Sequence, residues 1–240
     1  MTQPDLHTLV RRDGFDFIPA RQMAAVLGPE AAAAWPVLAE SWNDLGEDRF
    51  MADGGRYRRR RHAALSASKG AFVRKPHQPH YQSRDYNPLN GGVQRWFEPV
   101  TDATLANPAM QAVLAACDRM VTGEAGARDW HVELHQFRIE PEPGQTASPT
   151  PEGLHRDGVD WVFVMLIARE NVAEGVTRIA GAGGDDDLDR FVLAEPMDAV
   201  FLDDRRVRHG VTPIQAVDPT RPAYRDALVI TFAQTAPVGP

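Results

Sequence analysis

The spacing of apolar residues divides the chain into a front part with helical segments and a second part rich in strands. In the front part, three segments have the apolar spacing and helix propensity of helices, and one segment alternates like a short strand. The predicted helices are 21–27, 30–45 and 105–120, and the predicted strand is 14–19. Residues 50–100 are rich in Gly, Pro, His, Tyr and Asn, which favours irregular loops with short strands.

From Trp130 onward the pattern changes to that of β-strands. Residues 131–139 alternate between apolar and polar side chains, and 161–167 form a continuous apolar run typical of a strand buried on both faces. Further strands are predicted at 191–193, 199–202 and 227–232, and a turn at 181–187. Many short strands separated by turns predict a mainly β fold, a sandwich or jelly roll, with the helices packed on one outer face.

The length of 240 residues is compatible with one domain, which we divide into a helical and loop-rich part, 1–129, and a part with the core strands, 130–235. The net charge of −7 argues against a nucleic-acid or membrane partner. Met1–Leu6 lacks the features of a secretory signal, so we expect a cytoplasmic protein. The single cysteine, Cys117, is expected to be a small buried hydrophobe. The sequence predicts no oligomeric state.

Two polar segments of the front part have competing interpretations. The basic run Arg56–His62 is interpreted as an edge strand whose charges discourage pairing, with an anion-binding patch as the alternative. His77 and His80, in the Pro-rich stretch 76–80, are predicted to lie in a solvated loop.

A candidate metal site is formed by His155, Asp157 and the distant His209. Residues two apart in an extended segment point to the same side, so His155 and Asp157 can reach one ion. The segment with His155 and Asp157 and the segment with His209 each lie next to a strand of buried type. This arrangement favours contact between the two segments in the fold. Two imidazoles and one carboxylate on one face of an ion are typical of non-heme Fe(II) oxygenases, whose opposite face stays open.

In this chemistry the partner in the open positions is commonly a 2-oxo acid, whose far carboxylate needs a cation. An arginine offers a bidentate fork for it. Arg225 stands at the entry of the last predicted strand and is favoured over Arg221, which precedes Pro222 and is interpreted as a turn residue.

The chain resembles the bacterial 2-oxoglutarate-dependent dioxygenases of the isoleucine-hydroxylase type, which include free amino-acid hydroxylases and BsmA-like homologues. The resemblance rests on four segments that together span about the last two-thirds of the chain. They are 151–160 with 169–171, 201–214, 225–232 and, more weakly, 86–99. One departure is Glu174-Gly175, where the family often has paired glycines.

The resemblance implies a double-stranded β-helix core of the jelly-roll, cupin-like type. It also implies Fe(II) held by His155, Asp157 and His209, and 2-oxoglutarate anchored by Arg225. The implied reaction uses O2 to hydroxylate an aliphatic C–H of a small molecule, such as a free L-amino acid, with release of succinate and CO2.

Recognition of a free amino acid would need an acidic group for the ammonium and a cation or amide for the carboxylate. The candidate substrate contacts are Asn87, Arg95, His135 and Asp160. Three of them have a structural alternative: a turn before Pro88 for Asn87, a surface ion pair for Arg95 and a turn cap for Asp160. His135 and Arg138 face opposite sides of one strand, and His135 is favoured as the inward residue.

Two other functions remain open at this point. One is a non-catalytic jelly-roll protein that binds a metal or a small ligand in a stress or biofilm pathway. The other is a cupin-like enzyme that uses Mn(II) or Zn(II) for isomerisation or hydrolysis. A retained arginine anchor favours the oxygenase, because hydrolysis needs no site for an oxo acid.

Overall fold

The computed structural model of the protein describes residues 8–87, 89–184 and 186–234. The prediction about a signal segment at Met1–Leu6 lies outside these residues. The helices are α1 Thr8–Asp13, α2 Ala20–Glu40, α3 Asp102–Ala106 and α4 Pro108–Ala125. The strands are β1 Phe15–Ile18, β2 Arg58–Ser68, β3 Ala71–Arg74, β4 Glu98–Pro99, β5 Trp130–Ile139, β6 Thr146–Ala147, β7 Trp161–Glu170, β8 Val172–Glu174, β9 Val176–Gly181, β10 Asp187–Val192, β11 Ala199–Asp203, β12 Val207–Val211, β13 Ile214–Ala216 and β14 Tyr224–Gln234.

One large sheet dominates the molecule, with the strand order β1-β11-β7-β14-β5-β2-β3 and antiparallel pairing between neighbours. Two smaller antiparallel sheets, β10-β9-β12 and β6-β13-β8, are formed by the shorter strands. Neighbours in the large sheet are far apart in sequence, as in β11-β7-β14-β5, so the chain crosses repeatedly between the sheets. This topology is the predicted double-stranded β-helix, or jelly roll.

The helices pack against the outer face of the large sheet and bury the main hydrophobic core. Leu38 of α2 and Met110 and Leu114 of α4 belong to the same buried cluster as Phe163 and Phe232 from the sheet. Cys117 of α4 lies in this cluster as well, as predicted. Of the helices in the described residues, none combines the length and the apolar character that a membrane span requires.

The helix boundaries follow the local sequence signals. Gly28 has φ 84° and ψ 174°, so the two predicted helices meet at a kink inside α2. The second of them ends earlier than predicted, at Glu40, and a 3₁₀ turn occupies 41–44. Asn107 caps α4 by accepting a hydrogen bond from the amide of Ala109, and Pro108 occupies the first helical position.

The predicted strands are present, but the front part contributes more to the sheet than the sequence indicated. Strand β2 pairs with β5 along residues 58–67 and with β3 and β4 on its other side. The interpretation of the basic run as an edge strand is therefore wrong. Its residues alternate, with Arg58, Arg60 and His62 buried, so charge in this strand points inward.

Asp16 gives this fold a pH-dependent stability. It lies in β1 opposite Phe201, and burial raises the pKa of its carboxyl to about 6. Because the folded state favours the protonated acid, this position destabilises the protein as pH rises from about 4 through 6. We expect Asp16→Asn to raise the Tm at pH 8 by about 2–6 °C, and the difference to vanish near pH 4. Thermal melts between pH 4 and pH 8 measure this difference in Tm, and the exposed Asp189→Asn is the control. A gain in Tm at pH 4 equal to the gain at pH 8 would contradict the raised pKa of Asp16.

Candidate metal centre and co-substrate pocket

A cavity of about 390 Å³ lies inside the jelly roll. Its walls come from inward-facing residues of β2, β5, β7, β12 and β14 and from the loop of residues 80–95. His155, Asp157, His209 and Arg225 all line this one cavity. The fold thus brings together four residues that the sequence separates by up to 70 positions.

The backbone itself joins the two metal-site segments. His155 and His209 form an isolated antiparallel bridge, with reciprocal N–H···O bonds of 3.0 and 2.9 Å. Gly210 allows this approach, because a Cβ at that position would lie 2.7 Å from the carbonyl oxygen of Gly153. The two imidazole rings consequently lie with their centroids 4.6 Å apart.

The three side chains converge on one point. Nε2 of His155 lies 3.6 Å from Oδ1 of Asp157, and Nε2 of His209 lies 3.6 Å from Oδ2 of the same carboxylate. Nδ1 of His155 donates to the carbonyl of Gly153 at 3.0 Å, which leaves Nε2 as the ligand atom. Adjacent ligands about 2.1 Å from an octahedral ion would be about 3.0 Å apart, so the observed spacing fits a metal with little adjustment.

The electrostatics of the triad also suit a cation. Burial opposes charge on His155, but its hydrogen bond to Asp157 and the charge of that carboxylate outweigh burial and raise the pKa of His155 to about 9. Burial likewise opposes ionisation of Asp157, yet the two histidines hold the pKa of its carboxyl well below the usual value. Burial and the charge of His155 lower the pKa of His209 to about 4. Asp157 is therefore held as a carboxylate and His209 as a neutral imidazole, the forms in which both side chains bind a metal.

Asp204 fixes the segment that carries Asp157. Its two carboxylate oxygens accept the backbone N–H groups of Asp157, Gly158 and Val159 at 2.9, 2.8 and 3.1 Å. Burial and the charge of Asp157 raise the pKa of Asp204 to about 6. Asp204 thus orients the candidate metal ligand Asp157 without belonging to the triad.

We expect Asp204→Asn to weaken divalent-metal binding about 10- to 100-fold, because an amide cannot accept all three N–H bonds. Equilibrium titration with Mn(II) or Fe(II) measures the loss. The matched control is Asp203→Asn, since Asp203 bonds Arg205 rather than the ligand segment. Equal metal affinity of the Asp204→Asn protein and the wild type would show that the segment needs no such anchor.

Arg225 lies deep in the same cavity, 3% exposed, on strand β14. Within the described residues, its Nε and Nη2 atoms are buried without a hydrogen-bond partner. Burial and the neighbouring Arg169 lower the pKa of Arg225 to about 10. An unpaired buried guanidinium is costly, so this position fits a carboxylate ligand. Arg221 by contrast is exposed and pairs with Glu170 at 3.1 Å.

The predicted substrate contacts divide into two groups. Asn87, Arg95 and His135 line the cavity, and His135 faces inward while Arg138 pairs with Asp226 away from it. Asn87 also forms the local turn considered for it, since its Oδ1 accepts the amide of Asn90 at 2.7 Å.

Asp160 does not line this cavity, and its assignment as a substrate contact is corrected. Its carboxylate accepts the amide of Gln234 at 2.7 Å and lies 3.3 Å from Arg205. These bonds hold the carboxylate outside the cavity, at the start of β7.

Several cavity residues were missed by the sequence analysis: Arg60, His80, Gln82, Glu133 and Glu152. His80 is buried, so the prediction of a solvated loop is wrong for it. The loop is tied to the metal site through Gln82, which donates to Asp157 Oδ1 at 3.1 Å. The side-chain oxygen of Gln82 accepts from Arg95 and from Asn87. The pattern along β2 and β5 did not single out Arg60 and Glu133, because charged residues face inward on both strands.

Glu133 is the centre of a second cluster with His62, His80 and His135. Arg60 donates to Nδ1 of His135 at 2.9 Å, which places the proton of that ring on Nε2, facing Glu133. Glu133 accepts from His80 at 2.7 Å and from His62 at 3.2 Å. Burial opposes its charge, but the surrounding histidine N–H groups lower the pKa of Glu133. These hydrogen bonds satisfy Glu133 within the protein.

Comparison with known proteins agrees with this geometry. An L-isoleucine-4-hydroxylase of Bacillus thuringiensis is 30% identical over 162 residues, which are 64% of this chain and 65% of that protein. A 3(1)-hydroxy-L-isoleucine 4-dioxygenase of Pantoea ananatis (strain AJ13355) is 29% identical over 68% of this chain and 67% of its own length. The alignment with the Bacillus relative thus spans slightly less than two thirds of that relative.

A solved structure and a family model extend the match to most of the chain. The crystal structure of a bsmA homolog from Methylobium petroleophilum PM1 has a TM-score of 0.85 and 36% identity, and covers 95% of this chain and 93% of that chain. The sequence model described as 2OG-Fe dioxygenase matches residues 39–231, a range that contains the triad and Arg225. The resemblance noted from the sequence is confirmed, and the chain belongs to the 2OG-Fe dioxygenase family.

Proposed function

We propose that the protein is an Fe(II)- and 2-oxoglutarate-dependent dioxygenase that hydroxylates an aliphatic C–H of a free L-amino acid. The observation that carries this proposal is one cavity lined both by a 2-His-1-carboxylate triad and by a buried arginine whose Nε and Nη2 have no hydrogen-bond partner among the described residues. Hydrolysis or isomerisation needs no buried arginine in addition to the metal. The presence of Arg225 therefore favours the oxygenase over a cupin-like enzyme with another metal.

The donor set of His155, Asp157 and His209 would hold the iron and leave positions for a bidentate ligand and O2. Arg225 would hold the distal carboxylate of 2-oxoglutarate. When bound, these groups supply the oxidation R–H + 2-oxoglutarate + O2 → R–OH + succinate + CO2. One oxygen atom of O2 enters the product and the other enters succinate, so the atoms balance.

The protein's own contribution is to orient the reactants and to exclude water. Val164, Ala227 and Val229 give the inner wall of the cavity an apolar surface. Tyr86 packs on Gly158, where a Cβ would come within 2.5 Å of the ring, so the loop lies directly against the metal-ligand segment. An apolar wall and a covering loop limit the access of water to the reacting C–H bond.

A free amino acid as the substrate is supported by the size and polarity of the cavity and by relatives named for isoleucine chemistry. The volume of about 390 Å³ lies in the range of small-molecule sites.

The test is to reconstitute the purified protein anaerobically with Fe(II) and 2-oxoglutarate, add O2, and supply single L-amino acids. We expect at least one branched aliphatic amino acid to give succinate together with a product that has gained one oxygen atom, both measured by mass spectrometry. His155→Ala is the inactive control. If no amino acid increases succinate above the substrate-free rate, the proposed activity is wrong, and tight metal binding alone would then favour a non-catalytic binding protein.

A further inference from the structure

The side chain of Gln82 joins the metal-ligand segment to the wall of the cavity. Its Nε2 donates to Oδ1 of Asp157 at 3.1 Å and to the backbone oxygen of the same residue at 3.3 Å. Its Oε1 accepts from Nη2 of Arg95 at 2.9 Å and from Nδ2 of Asn87 at 3.2 Å. A single amide therefore bonds a candidate metal ligand at one end and two residues of the cavity wall at the other.

The orientation of the Gln82 amide is determined by its partners. Arg95 can only donate hydrogen bonds, so the atom of Gln82 that faces it is the oxygen. Asn87 also presents its NH2 group to Gln82, because its own Oδ1 accepts the backbone N–H of Asn90. The NH2 group of Gln82 consequently faces Asp157, whose carboxylate accepts the bond.

The bond from Gln82 restrains a motion of Asp157 that Asp204 leaves free. Asp204 holds the backbone N–H groups of residues 157–159, whereas the carboxylate of Asp157 can still rotate about its Cβ–Cγ bond. Such a rotation would move Oδ2 from its position 3.6 Å from Nε2 of His209. Because Gln82 holds Oδ1, it keeps Oδ2 directed at the point where the ligand atoms converge.

Residues 80–87 are held on the protein mainly by polar contacts. None of the residues in this segment belongs to a buried apolar cluster, and Tyr81 and Tyr86 are 58% and 36% exposed. At the start of the segment, His80 donates to Glu133 at 2.7 Å. A segment with so few buried apolar contacts opens at a lower free energy than the core strands do.

The same segment packs on the residues that flank Asp157. The ring of Tyr86 lies against Gly158, and the guanidinium carbon of Arg156 is 5.5 Å from the centroid of that ring. Together with the bond from Gln82, these contacts make the docking of the segment depend on how the metal-ligand residues are arranged. A bound metal would fix that arrangement through Asp157.

We propose that Gln82 is a positioning residue for Asp157 and that it couples metal binding to the docking of residues 80–87 on the cavity. Gln82 directs Oδ2 toward the ion, and an ion that holds Oδ2 keeps Oδ1 in place for Gln82. A coupling of this kind acts equally in both directions. The inference rests on the metal centre of the proposed function and adds a control of access to it, since the wall that contains Gln82 and Asn87 is firmest when the metal is bound.

The first measurement is hydrogen–deuterium exchange of the whole protein, read by mass spectrometry, with and without Mn(II). No 2-oxoglutarate is added, so no turnover occurs. In wild type we expect saturating Mn(II) to slow exchange about 5- to 20-fold in residues 80–87, as well as in peptides that contain His155 and His209. In Gln82→Met saturated with Mn(II), the peptides with the two histidines should still be protected, while residues 80–87 should exchange as in the metal-free protein.

The second measurement is the affinity for Mn(II), from titrations in which electron paramagnetic resonance counts the free ion. We expect Gln82→Met to weaken binding about 10- to 100-fold, because methionine has the length of glutamine but cannot donate a hydrogen bond to Asp157. The matched control is Gln94→Met, the same change at an exposed position nearby in the chain. It should match wild type in affinity and in the metal-dependent protection of residues 80–87. Circular dichroism melts without metal check that both variants are folded.

Three results would overturn the inference: equal exchange of residues 80–87 with and without Mn(II) in wild type, wild-type Mn(II) affinity in Gln82→Met, or an even loss of protection throughout that variant. The last result would show a structural role for Gln82. A wild type that does not bind Mn(II) would contradict both this inference and the proposed function. Coupled metal binding without succinate formation in the amino-acid assay would contradict the hydroxylase alone.

Discussion

Replacing His209 with alanine is expected to weaken Fe(II) binding by at least about 100-fold and to abolish succinate formation. His209 provides one of three converging ligand atoms, since its Nε2 lies 3.6 Å from Oδ2 of Asp157, and its ring is buried. Loss of a residue that only hydrogen-bonds a metal ligand costs about 10- to 100-fold in metal affinity. Loss of a ligand itself is therefore expected to cost more.

Iron retained after gel filtration, measured by atomic spectrometry, and 2-oxoglutarate decarboxylation give two independent readings of this prediction. His77→Ala is a suitable control, because His77 bonds the carbonyl oxygen of Phe97 and is absent from the cavity wall. Should the His209→Ala protein keep one equivalent of iron and its activity, the triad would not be the metal centre.

Replacing Arg225 with glutamine is expected to raise the KM for 2-oxoglutarate about 30- to 1000-fold, with a smaller effect on Fe(II) affinity. A buried charge-assisted bond to a carboxylate contributes about 2–4 kcal/mol when one partner is truncated, which corresponds to this range. Arg225→Lys should recover part of the loss, because lysine keeps the charge without the bidentate fork.

The dependence of succinate release on 2-oxoglutarate concentration measures the KM, and titration calorimetry of 2-oxoglutarate checks it as a dissociation constant. Arg221→Gln serves as the matched control from the same segment, since Arg221 is exposed and pairs with Glu170. An unchanged KM in Arg225→Gln, or an equal rise in Arg221→Gln, would assign the anchor elsewhere.

The sequence was sufficient for the jelly-roll core and for the segments that meet at the metal site. Strands β7, β11 and β14 each contain a run of apolar residues, at 161–167, 199–202 and 227–230, and such runs predict buried strands. The spacing of His155 and Asp157 before β7 then predicted that both side chains reach one metal ion. Arg225 could be chosen over Arg221 because it begins a strand and does not precede a proline.

The part of the cavity wall on β2 and β5 could not be predicted in this way, because charged residues line it. Pattern analysis assumes that apolar residues face inward, whereas Arg58, Arg60 and His62 of β2 face inward here, so the strand was interpreted as an exposed edge. Glu133 has the same inverted pattern in β5. Burial of such groups depends on partners from distant segments, which spacing along one strand does not reveal.

The misassigned Asp160 shows the complementary limit. It was proposed as the acidic partner of a substrate ammonium, yet Gly158 has φ +80° and redirects the chain between Asp157 and Asp160. Glu174, which stands where the resembling family often has glycine, likewise has φ 64°, a conformation that glycine adopts with less strain. Local backbone geometry of this kind is decided by tertiary contacts.

The two ends of the cavity come from different stretches of the chain. Residues 58–95 provide Arg60, Gln82 and Arg95, whereas the triad and Arg225 come from residues 155–225. The stretch 58–95 can therefore vary in sequence while the metal ligands and Arg225 stay unchanged. Chimeras that exchange 58–95 between relatives would show whether this stretch sets the range of molecules that are oxidised.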